Sequence, residues 1–120
     1  MSASRDYVNY LLELLAPLGE VKARAMFGGY GLSLDGLTFA LVADDVLYFK
    51  VDEANRPAYT ALGLKPFVPF PDKPDQTMGY HPPPETVFDD TDELLSWARP
   101  ALEAAMRAKA KTKPRKVRAT

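Results

Sequence analysis

Residues 21–51 decide the fold of this chain; they read VKARAMFGGYGLSLDGLTFALVADDVLYFKV. Asp35-Gly36 separates two stretches of alternating side chains, and this dipeptide favours a type I′ turn, whose two central residues need positive φ. Asp44-Asp45 is a weaker turn signal of the same kind. The residues after it are rich in the β-branched and aromatic side chains typical of strands. The stretch therefore predicts an antiparallel meander.

Segments with helical signals lie on both sides of this meander. Residues 4–16 place apolar side chains at i, i+3, i+4 and i+7, which is one face of an amphipathic helix. Residues 55–62 predict a short helix that is capped by Asn55. Residues 91–110 predict a second long helix. The proline at position 100 predicts a kink or a restart there, because proline lacks an N–H and crowds the preceding turn.

Two further segments complete the expected sheet. Residues 66–70 alternate proline with apolar residues, so they predict an edge strand or an extended loop. Residues 77–81 predict the last strand. The whole order of elements indicates an α+β fold, a two-layer sandwich in which an antiparallel sheet of about five strands has helices packed on it.

The composition excludes several classes of protein. The chain has 120 residues, which is the size of one domain. It contains no cysteine, and this excludes a disulfide framework, a zinc-thiolate site and a cysteine nucleophile. The first residues lack the pattern of a secretion signal, and no apolar run approaches the roughly 18 residues of a membrane span. We therefore expect a cytoplasmic protein that does not contact a membrane.

The charged residues are unevenly distributed along the chain. Residues 1–106 carry 8 basic and 16 acidic side chains, whereas residues 107–120 carry seven basic side chains and no acid. We expect residues 1–106 to form the domain and residues 107–120 to be a disordered basic tail. The candidate nucleic-acid contacts in the tail are Arg107, Lys109, Lys111, Lys113, Arg115, Lys116 and Arg118.

Such a basic run can neutralise phosphates whatever the base sequence. If all seven side chains contacted duplex DNA, the log–log dependence of affinity on salt would have a slope of about −6. The alternative is a tail that serves only solubility, with its charge offset by the acidic domain. No helix-turn-helix, zinc-finger or basic-zipper pattern is visible, so sequence-specific base recognition is not expected.

Two features could suggest a catalytic or ligand site, and each has a simpler structural explanation. His81 is the single histidine, too few for a histidine metal site in a chain without cysteine. Residues 28–31 read GGYG, which lacks the spacing of a dinucleotide or phosphate-binding loop. A bulge or a tight turn that needs positive φ is the better explanation of these glycines.

Acidic residues near the predicted turns could suggest a magnesium site or a catalytic carboxylate pair. Turn chemistry, capping and solvation explain their positions equally well. No serine, histidine and aspartate can be combined into a nucleophilic triad. We therefore expect no catalytic residue, no metal site and no cofactor. The acidic residues in question are Asp44, Asp45, Asp52 and Glu53.

A string of short segments carries a resemblance to a known family. In chain order the segments are Met26-Phe27-Gly28-Gly29-Tyr30-Gly31, Asp35-Gly36, Phe39-Ala40-Leu41, Asp44-Asp45, Leu47 to Glu53, Gly63 to Phe67, Met78-Gly79-Tyr80 and Leu94 to Ala98. With these segments the chain resembles the TfoX N-terminal domain family, which is named for bacterial regulators of competence. The resemblance covers roughly residues 5–106.

The resemblance implies a two-layer fold like that of secretion chaperones, and a homodimer. A small open sheet also has strand edges that must be covered, which favours the same expectation. The resemblance supplies no catalytic residues, so the motif at residues 26–31 is assigned a structural role at the junction of two strands. The leading interpretation is a non-catalytic regulatory or protein-binding domain with an unknown protein partner. A nucleic-acid-associated protein and an enzyme of unrecognised type are the alternatives.

Overall fold

The structure, a computed structural model, describes residues 5–26, 29–66 and 79–118, without the side chains of Met26 and of residues 111–118. The predicted segment at residues 66–70 lies almost entirely outside this range. There are two short 3-10 helices. Ala16–Leu18 precedes the first strand, and Glu85–Asp89 precedes the last helix. In chain order, the other elements are α1 (Arg5–Leu15), β1 (Lys22–Met26), β2 (Gly29–Leu34), β3 (Leu37–Ala43), β4 (Val46–Lys50), α2 (Arg56–Ala61), β5 (Tyr80–His81) and α3 (Thr91–Arg118).

The five strands form one antiparallel sheet in the order β1-β2-β3-β4-β5. Each strand therefore pairs with its neighbour in sequence, as short connections between consecutive strands favour. The helices pack against this sheet, so the predicted α+β fold is confirmed. β1 and β5 are the two edges of the sheet.

The two predicted turns of the meander are both present. Asp35 and Gly36 have φ values of 53° and 80°, as a type I′ turn requires. Asp44 and Asp45 have φ values of 52° and 57°. Aspartate tolerates this left-handed region better than most residues, because its short polar side chain can bond locally. These turns fix which residues of β2, β3 and β4 lie opposite one another.

A register shift in β3 was not predicted. Leu32 pairs with Ala40, but its neighbour Ser33 pairs with Thr38, so Phe39 is an extra residue on β3. Such a bulge changes the face to which the following side chains point. Phe39 and Ala40 are consequently both buried in the core, and the simple alternation expected for this strand is interrupted.

The core lies between one face of the sheet and the helices α1 and α3. Burial of these apolar side chains is the main driving force for folding, at roughly 25 cal/mol per Å² of apolar surface. The opposite face of the sheet carries Lys22, Arg24, Tyr48 and Lys50, as the strand register requires. The principal core residues are Val8, Leu11, Leu15, Leu32, Phe39, Ala40, Val42, Leu47, Phe49, Leu94, Leu95, Ala98, Ala101 and Ala105.

α3 differs from its prediction in two respects. It runs as one helix from Thr91 to Arg118, with no restart at Pro100. It also continues through residues 107–118, where the sequence predicts a disordered tail. Alanine, lysine and arginine are good helix formers, and a packed helix can be extended without a new nucleation step. The predicted domain boundary after residue 106 therefore falls inside a helix.

Candidate functional site

Asp52, just after β4, forms a bidentate ion pair with Arg107 on α3. The Arg107 Nε donates to Oδ2 of Asp52 at 2.7 Å, and its Nη2 donates to Oδ1 at 2.9 Å. These hydrogen bonds, opposed by partial burial, lower the pKa of Asp52 to about 2. Planar, two-point contacts of this kind are the strongest that arginine makes with a carboxylate. Arg107 therefore ties α3 to the sheet and is already paired.

The segment between β4 and α2 is held by side chains that bond to the backbone. The Oδ1 of Asn55 accepts from the N–H of Asp52 at 2.8 Å, and its Nδ2 donates to the Lys50 carbonyl at 3.0 Å. Asp52 in turn accepts from the N–H of Ala54 at 3.0 Å. The predicted role of Asn55 as a side-chain cap of α2 is therefore wrong: its amide closes the preceding turn instead.

Three ring systems meet where α2, β5 and α3 converge. The Tyr59 ring lies 4.7 Å from the Trp97 ring in an edge-to-face contact and 5.2 Å from the His81 ring. His81 is buried, and its Nδ1 lies 3.0 Å from the carbonyl oxygen of Leu64. Because a carbonyl oxygen can only accept, Nδ1 carries the hydrogen of this bond. His81 thus serves as a packed strand residue that pins the segment after α2.

The Tyr59 hydroxyl has no hydrogen-bond partner among the described residues, although the side chain is 1% exposed. Burial raises the pKa of this phenol well above its usual range. The residue borders a cleft of about 270 Å³ between α2 and α3. Its lining residues are Asn55, Ala58, Tyr59, Ser96, Trp97 and Pro100.

Two polar side chains of this cleft, those of Ser96 and Asn55, already form hydrogen bonds that hold the fold. The Ser96 hydroxyl donates to the Glu93 carbonyl at 2.6 Å, and the Asn55 amide is bonded as described above. The cleft lining contains no acidic, basic or imidazole group. The cleft therefore offers a mainly apolar surface, bordered by a Tyr59 hydroxyl that has no partner among the described residues.

The glycine-rich motif proves to be part of β2. Gly29 and Gly31 lie within the strand and do not have positive φ, so the predicted left-handed conformation is wrong for both. Gly29 instead allows a close approach, because a Cβ at this position would overlap the carbonyl oxygen of Val42 on β3. Phe27 and Gly28, and the side chain of Met26, lie outside the described residues.

The face of the sheet opposite the helices is basic and partly aromatic. Lys22 and Arg24 are exposed, and Tyr48 and Lys50 are partly buried. The Lys50 ammonium lies 5.3 Å from the centre of the Tyr80 ring, within the range of a cation–π contact. Burial, with the nearby Asp44 carboxylate, raises the pKa of Tyr48. Leu41 and Tyr80 lie on the same face and are buried, so the face is exposed chiefly at β1.

Two further kinds of feature concern residues 5–26, 29–66 and 79–118: a metal site and a membrane-spanning helix. Within them, no group of three or more histidine, aspartate or glutamate side chains is placed to hold a metal ion. In the same part of the chain, no helix combines the length and apolar character needed to cross a bilayer. The acids singled out in the sequence, among them Asp52, are accounted for by turns and by the ion pair.

Comparison with known proteins decides the family. The sequence model of the TfoX N-terminal domain matches residues 13–105, which include β1 to β5 and the packed part of α3. The chain belongs to this family. Protein Sxy of Escherichia coli (strain K12) is 42% identical to this TfoX N-terminal domain over 43 residues, which are 36% of this chain and 21% of Sxy. The family is that of TfoX-like competence regulators, and the alignment covers only a minor part of Sxy.

The matched range of this TfoX N-terminal domain ends just before Arg107. The ion pair with Asp52 thus joins a residue inside the match to one beyond it. Of the other predicted nucleic-acid contacts, Lys109 lines a groove of about 320 Å³ with Leu37 and Met106. The side chains of the remaining candidates lie outside the described ones: Lys111, Lys113, Arg115, Lys116 and Arg118.

Sequence reasoning missed the ion pair and the ring cluster for the same reason. Asp52 and Arg107 are 55 residues apart, and no local pattern couples them. Tyr59 and Trp97 could have been placed on the buried sides of their helices by periodicity, but their meeting depends on how α2 and α3 pack. Both Tyr59 and Trp97 lie inside the range that the family model matches.

Proposed function

We propose that this TfoX N-terminal domain is a non-catalytic regulatory module that acts by binding another protein. The proposal rests on one observation: polar side chains of the candidate site form hydrogen bonds with other groups of the same domain. These residues are Asp52, Asn55, His81 and Ser96. A catalytic site would instead leave such groups directed at a substrate. Membership of the TfoX N-terminal domain family supports a regulatory role. We include in the same proposal a role in competence and a location in the cytoplasm.

A photo-crosslinking experiment tests the proposal in the cell. A photoreactive amino acid replaces the partly exposed Tyr48 on the sheet face opposite the helices, or, as a control, Arg99 on the exposed side of α3. Binding of a specific partner gives one discrete adduct from position 48 and none from position 99. Identical adduct patterns from both positions would count against a protein-binding surface on the sheet.

The non-catalytic part of the proposal has its own test. The purified chain is incubated with a small-molecule extract of bacterial cells, and the mixture is followed by proton NMR. We expect no signal to change at a rate proportional to protein concentration. Saturable conversion of any compound, lost on heating the protein, would instead support the enzyme alternative.

A homodimer remains part of the proposal. Its support is the open sheet, whose edges at β1 and β5 a segment of a second copy, other than β1 itself, would cover. Light scattering across a concentration series measures the mass directly. A monomer mass at the highest concentration would remove the dimer from the proposal and leave binding to a different protein.

A second candidate function is nucleic-acid binding through the end of α3. The observation in its favour is that the backbone of the basic run is helical, so that each residue advances the chain by only about 1.5 Å. If the six cations other than Arg107 all contacted duplex DNA, the expected salt slope would be about −5. The test is fluorescence anisotropy of labelled duplex DNA against a variant with glutamine at all six positions, which keeps Arg107 in place. Equal binding by both proteins at low salt would eliminate this function.

A further inference from the structure

Among the described residues, the edge strand β1 is paired on one side only. Its five residues pair with β2 on one side, and no backbone hydrogen bond to another described residue occupies the other. An open edge is a template on which another extended chain can add a strand. β1 is the longer of the two sheet edges, since β5 has only two residues.

The register shows which backbone groups of β1 point outward. Ala43 and Val46 flank the two-residue turn at Asp44-Asp45 and are a hydrogen-bonded pair, so Val42 directs its N–H and C=O to its partner Tyr30 on β2. Tyr30 therefore bonds to β3 and not to Ala25, its partner on β1. Hydrogen-bonded and non-hydrogen-bonded pairs alternate along an antiparallel ladder. Ala23 and Ala25 are therefore in non-hydrogen-bonded pairs with β2, and their N–H and C=O groups are directed to the open edge.

The side chains of β1 set the charge of an incoming strand. Lys22 and Arg24 are exposed on the sheet face opposite the helices, and neither forms an ion pair with a described residue. Ala23 and Ala25 point to the helix-covered face, where Ala23 packs against the core. A strand added here would place alternate residues beside two cations and the others beside two small apolar side chains.

A second copy of β1 is a poor occupant of this edge. Antiparallel self-pairing centred on Arg24 would place this residue opposite its own copy, and like charges directly opposite each other destabilise a sheet. The same cations favour a strand with carboxylates at every second position. Charge therefore selects a partner segment other than β1 itself.

We propose that β1 is the docking edge for an extended acidic segment of a partner protein, which adds antiparallel to the sheet as a sixth strand. Carboxylates of the segment lie beside Lys22 and Arg24, and its intervening residues are small or β-branched and lie beside Ala23 and Ala25. This inference rests on the proposed protein-binding function and specifies the chemistry of the partner.

The first test uses a fluorescent peptide with the core sequence Glu-Val-Glu-Val-Glu and the full chain. We expect saturable binding whose affinity falls about tenfold in the double variant Lys22→Glu and Arg24→Glu. Each exposed ion pair contributes a few-fold to the affinity, and reversing the charge of the protein side chain adds repulsion. The control is Lys65→Glu with Arg99→Glu, two exposed residues away from β1, which changes the net charge equally. Equal weakening in both double variants would overturn the proposal.

The second test separates strand addition from simple charge attraction, and it needs no protein variant. One peptide is N-methylated at both valines, whose amides would face Ala23 and Ala25; the other is N-methylated at two glutamates, whose amides would face away. We expect the first peptide to lose binding at least tenfold and the second to bind as before. Equal affinity of the two peptides, or equal displacement by a single-stranded oligonucleotide, would overturn the proposal.

Amide hydrogen exchange provides the third readout. On binding of the unmodified peptide, the amides of Ala23 and Ala25 become protected, whereas those of the β3–β4 turn do not change. If photo-crosslinking from position 48 still identifies a partner while β1 remains unprotected, the edge inference fails and the protein-binding function stands. If neither experiment detects binding, both fail.

Discussion

Arg107 and Asp52 face each other through two parallel hydrogen bonds, so that a residue late in α3 is joined to the loop that follows β4. The two side chains are 42% and 31% exposed, respectively, which means that water partly screens their attraction. The ion pair contributes to the geometry of the fold as well as to its stability, because the planar guanidinium fixes the orientation of α3 relative to the loop.

Removing either partner should lower the melting temperature by a few degrees. In Arg107→Ala the carboxylate loses both donors, and in Asp52→Asn the guanidinium loses its ionic partner. The double variant should be hardly less stable than either single variant, since the interaction can be lost only once. Fluorescence of the single tryptophan, Trp97, provides the measurement. Strictly additive losses would show that the two residues act independently.

The same ion pair should appear in the pH dependence of stability. The pKa of Asp52 falls from 3.8 to about 2 on folding, so its stabilising effect is complete above about pH 4. That effect is lost as the pH falls through the folded-state pKa, because the carboxylate must then be protonated. Urea unfolding at a series of pH values should show the difference between wild type and Asp52→Asn shrinking between pH 4 and pH 2. A constant difference over this range would contradict the assignment.

Tyr59→Phe should stabilise the protein by about 1 kcal/mol, because a buried hydroxyl without a partner carries a desolvation penalty of this order. The ring itself keeps its contacts with Trp97 and His81. Urea unfolding of the variant gives the free energy, and Tyr10→Phe, at an exposed position of α1, serves as the control. A clear loss of stability in Tyr59→Phe would mean that the hydroxyl is hydrogen-bonded in solution.

Gly29→Ala and Gly36→Ala should both destabilise the sheet, but for different reasons and by different amounts. The new Cβ at position 29 would overlap a backbone oxygen of β3, which cannot move alone, so we expect a loss of about 3 kcal/mol or more. At position 36 no atom lies nearby, and only the positive φ is unfavourable, at about 1 kcal/mol. Chemical denaturation compares the two.

A third variant distinguishes the two mechanisms further. Gly36→Asn should recover most of the stability lost in Gly36→Ala, because asparagine tolerates positive φ. At position 29 asparagine should be at least as harmful as alanine, since the overlap with Val42 begins at the Cβ. Similar rescue at both positions would show that conformation, and not space, decides the requirement at Gly29.

The sequence was sufficient for features that depend on neighbouring residues. Asp35-Gly36 predicted its turn because type I′ geometry needs residues that accept positive φ, and α1 was visible in its apolar spacing. It was insufficient where tertiary structure decides. The bulge at Phe39 satisfies a packing need between β2 and β3, and nothing in the alternation marks the extra residue.

The candidate site was less predictable than the fold. The polar residues Asn55, Asp52 and Arg107 were each assigned a local role, as a cap, a loop acid and a tail cation, and the structure gives all three a different partner. Sequence patterns predict hydrogen bonds to groups nearby in the chain. In the folded protein, long side chains can instead bond to groups that only the tertiary structure brings close. Gly29 shows the same limit, since a position in a strand can demand glycine for space alone.

α3 extends well beyond the core as one continuous helix. Its 28 residues span about 42 Å, and its first half packs in the core. A molecule bound at the far end would be held along one axis and at one angle about it, whereas a flexible tether would let it sample a whole sphere of positions. Deleting one residue between the packed first half and the far end would turn the bound molecule by about 100° and draw it in by about 1.5 Å. The length of this helix would then set the direction in which the domain faces its target.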